Sequence, residues 1–364
     1  MEKKISVIID CDTGVDDAGA LMMACASDRL DILAVTTVSG NVGLEHTHPN
    51  TLNVLKLFGR GEIPVAKGAD APLVRPPFKA SAVHGFNGLR NYQFAENTTD
   101  AQVDLPAAAY MAKLLEERAE KITIIALGPL TNVAILLLAR PDLADKIDKI
   151  IFMGASYQDG NPTPIGTFNV LVDPEAFRIC TTRGVDFYAC PLDTLRNACV
   201  TQKDVERVRG FKSAAADFIY RTAFAPRTYT DEEIARINAS GNEELVTRER
   251  LERMNRSEKF ALLDQATMAF AIAPELFTYK KYYCTVECAG TFTAGYTYVD
   301  KRNYYKKSEE EKNLFFVETV DGEKFASLFM SQMCIRDRVT TIWGQPGMST
   351  LKGSKIVIVE EEQC

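Results

Sequence analysis

An acidic cluster near the start of the chain constrains its fold more than any other feature. Four aspartates fall within eight residues, at positions 10, 12, 16 and 17, directly after the apolar run at 5–9. The run is rich in β-branched residues and predicts a strand, and residues 16–26 predict a helix whose acidic first turn suits its dipole. Carboxylates this close repel one another, so the pKa of at least one rises unless a cation balances the charge. Because Ca²⁺ and Mg²⁺ prefer oxygen ligands, the cluster predicts a metal site at a strand-to-helix turn.

Alternating strand and helix patterns continue along the chain. Strands are predicted at residues 5–10, 30–38, 122–127, 147–153 and 184–190, and helices at 16–26, 49–58 and 132–138. This alternation predicts an α/β fold, a single domain with a central, mostly parallel sheet flanked by helices. Residues 200–258 are rich in charged residues and helix formers, and they predict a helical insertion that caps the sheet. Polar residues follow several strands, at the sheet edge where open α/β folds bind ligands.

Charge and hydropathy exclude two classes of partner. The chain has 364 residues and a formal net charge of −7, which argues against a general nucleic-acid or anionic-membrane binder. Its most membrane-like stretch, residues 122–139, contains Gly128 and Pro129 and is typical of a strand, a turn and a helix. Nine cysteines without a C-x-x-C pair predict a reduced, cytoplasmic protein. His46 and His48 predict a solvated surface loop rather than a pair of metal ligands.

The C-terminal segment has a different character from the rest. Residues 333–338 read MCIRDR, which resembles the translation of a sequencing-library adapter. We therefore expect the catalytic domain to occupy residues 1–332 and residues 333–364 to be foreign to the evolved protein. An uninterrupted native gene across this junction, found by resequencing, would refute that hypothesis.

The acidic cluster and several later motifs together resemble one enzyme family. The segment DCDTGVDDA at 10–18 is similar to the opening motif of the nucleoside hydrolases, the inosine–uridine preferring N-ribohydrolases. Further segments similar to that family occur in its order: TTVSGN at 36–41, GPLTN at 128–132, GN at 160–161, FN at 168–169 and DPEA at 173–176. The resemblance covers residues 5–332. It implies the nucleoside-hydrolase fold, hydrolysis of ribonucleosides to ribose and free base, and assembly as a homodimer or homotetramer.

The resemblance also implies roles for particular residues. Asp12, Asp17, Asp264 and the main-chain carbonyl of Leu127 would bind Ca²⁺, and Asp12 would be the general base for the attacking water. The residues implied to contact the substrate are Asp16, Asn41, Met153, Asn161, Thr167, Phe168 and Asn169. The transition state would resemble an oxocarbenium ion, which carboxylate and amide oxygens stabilise.

Two positions depart from the family pattern. Leu263 stands where the family has a histidine that helps to protonate the leaving base, and Thr167 replaces a glutamate that contacts the 5′-hydroxyl. His84, in a glycine-flanked stretch, is the candidate for a catalytic donor to the base, although it could instead cap its loop. Phe86 and Phe168 are candidates for stacking on the base, and Tyr220 and Tyr229 for contacts from the cap.

Plainer interpretations remain open for single residues and for the whole chain. Taken alone, Asp16, Asp17 and Asp264 suit helix N-termini, Asn41 and Asn161 suit turns, and Met153 suits a core. The pattern Asp10-x-Asp12 is also similar to the nucleophile motif of haloacid-dehalogenase-type phosphohydrolases, which have threonine or valine where this chain has Gly14. A non-catalytic nucleoside or ribose binder is the third hypothesis. Release of base, release of phosphate, or binding without turnover distinguishes the three.

Overall fold

A nine-stranded sheet forms the centre of the protein. The computed structural model describes residues 3–239 and 245–343, with side chains through Met333. The strands are β1 Ile5–Cys11, β2 Leu30–Thr37, β3 Val65–Lys67, β4 Gln102–Val103, β5 Ile122–Ala126, β6 Ile147–Met153, β7 Phe187–Cys190, β8 Cys199–Thr201, β9 Lys259–Ala261, β10 Phe277–Tyr282, β11 Cys284–Val286, β12 Thr297–Val299 and β13 Leu314–Val320. The order in the main sheet is β10–β13–β7–β6–β5–β1–β2–β3–β4, and every pair of neighbours is parallel except β10 and β13. The predicted α/β fold with a mostly parallel sheet is therefore confirmed.

Helices cover both faces of the sheet. They are α1 Val15–Ala26, α2 Leu44–Leu57, α3 Ser81–His84, α4 Ala107–Glu117, α5 Thr131–Ala139, α6 Phe168–Val172, α7 Pro174–Thr181, α8 Leu192–Leu195, α9 Gln202–Gly210, α10 Ala214–Ile219, α11 Asp231–Ala239, α12 Arg248–Asn255, α13 Leu263–Ile272 and α14 Gly322–Trp343. Successive side chains of β1 point to opposite faces, so Val7 and Ile9 enter one apolar layer while Ile8 enters the other. Because both layers exclude water, the strand is a continuous apolar run rather than an alternating one.

The second helix begins earlier than predicted. Pro49 was expected in its first turn, but α2 starts at Leu44 and contains Pro49 in its interior. Proline has no N–H group to donate to the preceding turn of the helix. Tertiary contacts stabilise that turn instead. Thr47 Oγ1 donates to the carbonyl of Val38 at 2.9 Å, and His48 Nδ1 lies 3.0 Å from Thr37 Oγ1. The expectation of two solvated histidines is accordingly wrong for His48, which is buried.

The predicted helical insertion lies between two short paired strands. β8 and β9 pair in antiparallel fashion, and α9, α10, α11 and α12 fall between them in the chain. A small apolar cluster joins this insertion to α3, with Ala82 of α3 contacting the group formed by Tyr229, Ile237, Val246 and Leu251. We refer to residues 202–258 as the cap.

The last helix crosses the boundary predicted at residue 333. Helix α14 runs from Gly322 to Trp343, and Phe325, Phe329 and Met333 on it are buried against the core. Residues 344–364 lie outside the described residues, so the hypothesis about their origin stays a prediction. In the described part of the chain, we find no helix with the length and apolar character needed to cross a lipid bilayer.

Candidate active site

A cavity of about 310 Å³ opens at the carboxyl edge of the sheet. The chain reaches this edge after β1, β2, β5 and β6, because parallel strands end on the same side. Eleven of the site residues named from the sequence line it: Asp12, Asp16, Asn41, His84, Leu127, Met153, Asn161, Thr167, Phe168, Asn169 and Asp264. Asp17 does not line it and is fully buried. The volume lies at the lower end of the roughly 300–1,000 Å³ usual for small-molecule sites. We call this the main cavity.

Asp17 organises the turn between β1 and α1. Its carboxylate accepts the main-chain N–H groups of Asp12 at 3.2 Å and Gly14 at 2.9 Å. Asp17 is the third residue of α1, and its side chain therefore caps the N-terminus of its own helix. This is the role that an acidic first turn suggests without any metal. The same carboxylate also takes part in the acidic cluster, so the two interpretations of Asp17 do not exclude each other.

Asn41 connects the end of β2 to both neighbouring aspartates. Its main-chain N–H donates to Asp12 Oδ2 at 2.6 Å. Its side-chain Nδ2 donates to Asp17 Oδ2 at 2.9 Å and to the main-chain carbonyl of Asp12 at 3.2 Å. The amide hydrogens of Asn41 thus orient the carboxylates, and this residue is more than a turn former.

Two glycines leave the space that the Asp12 carboxylate occupies. A Cβ atom built on Gly40 would lie 2.1 Å from Asp12 Oδ2, and one built on Gly128 would lie 2.7 Å from Asp12 Oδ1. Real Cβ atoms do not approach other atoms so closely. The Asp12 carboxylate is therefore clamped between the turns that follow β2 and β5. A side chain at position 40 or 128 would overlap with it, which explains the glycines in these two motifs.

Three carboxylates converge at one point of the main cavity. One oxygen each of Asp16, Asp17 and Asp264 lies within 4.8 Å of the others. Burial raises the pKa of Asp12 to about 7 and the pKa of Asp17 and Asp264 well above the usual range, and repulsion from neighbouring aspartates adds to the rise. Asp16 Oδ1 is buried without a hydrogen-bond partner. An all-oxygen donor set that concentrates negative charge in a buried site fits a hard divalent cation.

Asp264 does not cap the helix on which it lies. Helix α13 begins at Leu263, and its N-cap residue is Leu262, with no side-chain capping bond. The carboxylate is buried beside Asp17 instead. The N-cap interpretation of Asp264 is thus wrong, and its position favours a role in the acidic cluster.

The opposite wall of the main cavity is built by residues 153–169. Asn169 Nδ2 donates to the carbonyl of Leu127 at 2.5 Å and to that of Met153 at 3.0 Å, which joins the ends of β5 and β6. Asn161 Oδ1 accepts the N–H of Phe168 at 2.9 Å. Thr167 Oγ1 accepts the N–H of Ala155 at 3.1 Å, and Ala155 has a φ of 74°, a strained conformation for a residue other than glycine. Thr167 therefore supports this wall.

His84 contacts the N-terminal turn of α1. Its Nδ1 accepts the N–H of Val15 at 3.2 Å and lies 3.7 Å from Asp16 Oδ1. Burial lowers the pKa of His84 to about 4, so the ring is neutral at pH 7 and carries its hydrogen on Nε2. A Cβ on Gly14 would lie 2.5 Å from Nδ1, so only glycine allows this approach. His84 is fixed in one orientation, and Nε2–H is its available donor.

The aromatic candidates separate into different places. Phe168 lines the main cavity. Phe86 does not: His46 packs on its edge at 5.2 Å, and the Arg236 guanidinium lies 3.5 Å from its ring centroid. Tyr220 lines an adjoining cavity, and Tyr229 is buried in the cluster that joins α3 to the cap. The expectation that Phe86 stacks on the base is not supported.

Several residues of the main cavity were not predicted from the sequence. Phe78 and Lys79 contribute to its wall from the segment before α3, Leu192 contributes from α8, and Arg250 from α12 of the cap. None of these residues belongs to a strand-end motif. Their position depends on how the cap and its neighbouring loops pack, so no local pattern could have identified them.

Fold and site together define an α/β protein with an acidic pocket, whose donor set fits a metal ion, at the carboxyl edge of a mostly parallel sheet. The profile of the "Inosine-uridine preferring nucleoside hydrolase" family matches residues 7–327, and the chain belongs to that family. It is 36% identical over 335 residues to the "Pyrimidine-specific ribonucleoside hydrolase RihA" of Photobacterium profundum, covering 90% of this chain and 98% of the relative. It is 35% identical over 330 residues to the protein of the same name from Shigella boydii, with the same coverage.

Solved structures give the same result. "Plant nucleoside hydrolase - PpNRh1 enzyme" superposes with a TM-score of 0.78 at 30% identity, covering 91% of this chain and 99% of that one. "Inosine-Guanosine Nucleoside Hydrolase (IG-NH)" superposes with a TM-score of 0.76 at 26% identity, covering 90% and 98%. The protein is therefore a hydrolase of the N-glycosidic bond of ribonucleosides, as the sequence predicts, and the phosphohydrolase and binder hypotheses are set aside.

We predict that Gly128→Ala disables the site without unfolding the protein. The new methyl group forces the Asp12 carboxylate to move, and a displacement of about 1 Å can cost roughly 100-fold in rate. Steady-state measurement of kcat/KM, with thermal unfolding as the test of the fold, checks this. Gly210→Ala is the matched control, since nothing lies within 4 Å of its Cβ position. Equal activity of the two variants would contradict the clamp.

Proposed function

We propose that the protein hydrolyses ribonucleosides with the help of Ca²⁺ held by Asp12, Asp17, Asp264 and the main-chain carbonyl of Leu127. The observation that supports this most directly is the convergence of the Asp17 and Asp264 carboxylates with that of Asp16, together with the burial of Asp12, Asp17 and Asp264. When bound, such an ion lowers the pKa of a coordinated water and orients the hydroxyls of the sugar. The remaining chemistry is derived from the side chains of the chain itself.

Asp12 is the proposed general base. Its Oδ2 accepts the N–H of Asn41, which orients the carboxylate, and the lack of a side chain at Gly40 and Gly128 leaves the space that it occupies. A base that is fixed before the substrate arrives loses little freedom during proton transfer. The proton that leaves the attacking water therefore passes to Asp12.

The remaining polar residues of the main cavity are proposed to bind ribose. Asp16, Asn41, Asn161 and Asn169 offer carboxylate and amide groups to the hydroxyls, with Met153, Thr167 and Phe168 completing the walls. Asp16 Oδ1 is buried and has no hydrogen-bond partner among the residues that the structure describes, which suits an acceptor for a sugar hydroxyl. Positive charge develops on the ribosyl ring as the glycosidic bond breaks, and these oxygens stabilise it.

We further propose a preference for uridine and cytidine. The two bacterial relatives at 35–36% identity carry the name "Pyrimidine-specific ribonucleoside hydrolase RihA". On the side of the cavity that would face the base, His84 can donate from Nε2 to a carbonyl oxygen without changing its charge. His84 is thus a proposed hydrogen-bond donor to the base, and the neutral ring explains why it would not act as an acid.

Assembly and compartment are proposed from less direct observations. The described cysteines are free thiols, which suits a reducing, cytoplasmic environment. A homodimer or homotetramer is proposed on the family resemblance, and several exposed aromatic side chains, including Phe292 and Tyr304, are available for contacts. Light scattering coupled to size-exclusion chromatography gives the mass, and a monomer at micromolar concentration would contradict the proposed assembly.

We predict metal-dependent release of base from a panel of uridine, cytidine, inosine, adenosine and guanosine. Excess EGTA should abolish the release, Ca²⁺ should restore it, and uridine and cytidine should give the highest kcat/KM. Because an ion that binds only the folded state stabilises it, Ca²⁺ should also raise the midpoint of thermal unfolding. Full activity after exhaustive chelation would overturn the metal proposal, and faster turnover of purine nucleosides would overturn the base preference.

We predict that Asp12→Asn lowers kcat for uridine by roughly 1,000-fold, because the amide cannot accept the proton of the attacking water. The change is nearly isosteric, and the N–H of Asn41 can still donate to the side-chain carbonyl, so far-UV circular dichroism should be unchanged. Asp31→Asn, on an exposed position of β2, is the control with the same chemical change. A loss of less than about 10-fold would exclude Asp12 as the base.

A further inference from the structure

The residue beside Asp264 cannot give the leaving base a proton. Leu263 lines the main cavity, and its side chain carries no ionisable group. If the proposed ribonucleoside hydrolysis is correct, the negative charge that forms on the departing base must be stabilised by other residues. We propose that three arginines, Arg90, Arg227 and Arg250, stabilise that charge, with Arg250 in contact with the base. We call them the arginine cluster.

The arginine cluster surrounds the wall that contains Leu263. A second cavity, of about 640 Å³, adjoins the main cavity, and Asp16, Val83, His84 and Leu263 line both. Arg90 and Arg227 line this adjoining cavity, and Arg250 lines the main cavity. All three guanidinium groups therefore lie around the part of the site where Leu263 replaces an acid.

Three different segments supply the arginines. Arg90 follows α3 and has a φ of 49°, a conformation that the loop imposes. Arg227 lies in the segment before α11, and Arg250 lies in the first turn of α12. The convergence thus depends on docking of the cap against the loop after α3, a contact that the cluster around Ala82 and Tyr229 provides.

Two of the three cations lack a carboxylate partner. Arg90 Nη1 donates to the carbonyl of Ala223 at 3.1 Å, while its Nε is buried without a partner. Arg227 Nη1 has only the Met254 sulfur, at 3.2 Å. Among the described residues, no carboxylate lies within ion-pair distance of either guanidinium. Cations in a partly buried site without an anionic partner favour the binding of negative charge.

Repulsion between the arginines supports the same conclusion. Burial lowers the pKa of Arg227 to about 9, and the neighbouring Arg90 and Arg250 contribute to the lowering. Burial likewise lowers the pKa of Arg90, against the opposing effect of Asp16. The charges of Arg90 and Arg250 thus disfavour the charge on Arg227, and a negative charge placed near Arg227 relieves that repulsion.

The electron and proton balance of the reaction fits this role. The bond between C1′ and the base nitrogen breaks, and its electron pair stays on the base. The water oxygen bonds to C1′, and the proton of the water passes to Asp12. The base departs as an anion whose charge spreads onto its carbonyl oxygens, and it takes up a proton after release. Guanidinium groups are planar donors suited to such oxygens, so no proton donor is needed at position 263.

The test compares two leaving groups in the same enzyme. For Arg250→Met, we expect kcat for uridine to fall by roughly 100-fold, the usual effect of removing one donor to a developing anion. Turnover of 4-nitrophenyl β-D-ribofuranoside should change by less than about 3-fold, because nitrophenolate is stable without help. Arg250→Lys should restore part of the loss with uridine. Arg256→Met is the matched control, since Arg256 is exposed one residue after α12 and pairs with Glu252 at 3.6 Å.

A second variant guards against effects on folding. Among the described residues, the Arg227 side chain makes no hydrogen bond to an oxygen atom, so Arg227→Met should leave the unfolding temperature unchanged and lower kcat for uridine by roughly 10-fold, again sparing the nitrophenyl substrate. Equal losses with both substrates, or no loss with either, would overturn the role of the arginine cluster. A wild-type enzyme that cleaves no ribonucleoside would instead overturn the proposed function, and this inference with it.

Discussion

The burial of several carboxylates at one end of the sheet is the constraint on which the rest of the site depends. Asp10 shows how the fold stabilises a buried carboxylate. Its side chain is fully buried, and Oδ1 accepts Thr36 Oγ1 at 2.6 Å and Asn132 Nδ2 at 2.8 Å. The main-chain carbonyl of Asp10 also accepts the N–H of Leu127 at 2.8 Å. One residue thereby joins the ends of β1, β2 and β5, and the turn after β1 supplies Asp12, Asp16 and Asp17 of the site. Asp10 therefore holds the frame in which the remaining carboxylates can be brought together.

The strands that are buried on both faces were predicted more accurately than the short strands near the edge of the sheet. The predicted strand at 147–153 coincides with β6, and those at 5–10, 30–38 and 122–127 agree with β1, β2 and β5 within one residue at either end, because helices cover both faces and most of the side chains are apolar. The short strands β3 and β4 lie at one edge of the sheet and carry little apolar sequence, so no pattern marked them. The start of α2 was misjudged because contacts from Thr47 and His48 to the neighbouring strand end outweigh the local preference of Pro49.

The residues of the site also differ in how well the sequence predicts them. Residues that follow strand ends, such as Asp12 and Asn41, belong to contiguous motifs, and their meeting follows from the parallel sheet alone. Gly40 and Gly128 belong to the same motifs, but the reason for them became visible only from the space that Asp12 fills. Arg250 could not be found from the sequence at all. It lies on an exposed, charged helix whose sequence is typical of a solvated surface, and only the docking of the cap brings it to the main cavity.

The groups proposed for catalysis and those proposed for selection of the base lie on different parts of the molecule. The groups proposed to act on ribose project from the central strands and the turns next to them, where hydrogen bonds orient Asp12, Asn41 and Asn169. The groups proposed to act on the base come from α3, the loop after it and the cap. Helix α3 and the outer part of the cap share a small apolar cluster, while α9 and α10 of the cap pack into the main core. A ribosyl cation has the same shape and charge whichever base departs, so its site gains from rigidity. Bases differ in size and in the position of their carbonyl oxygens, so their recognition is better placed on elements that can vary in sequence and length without disturbing the sheet.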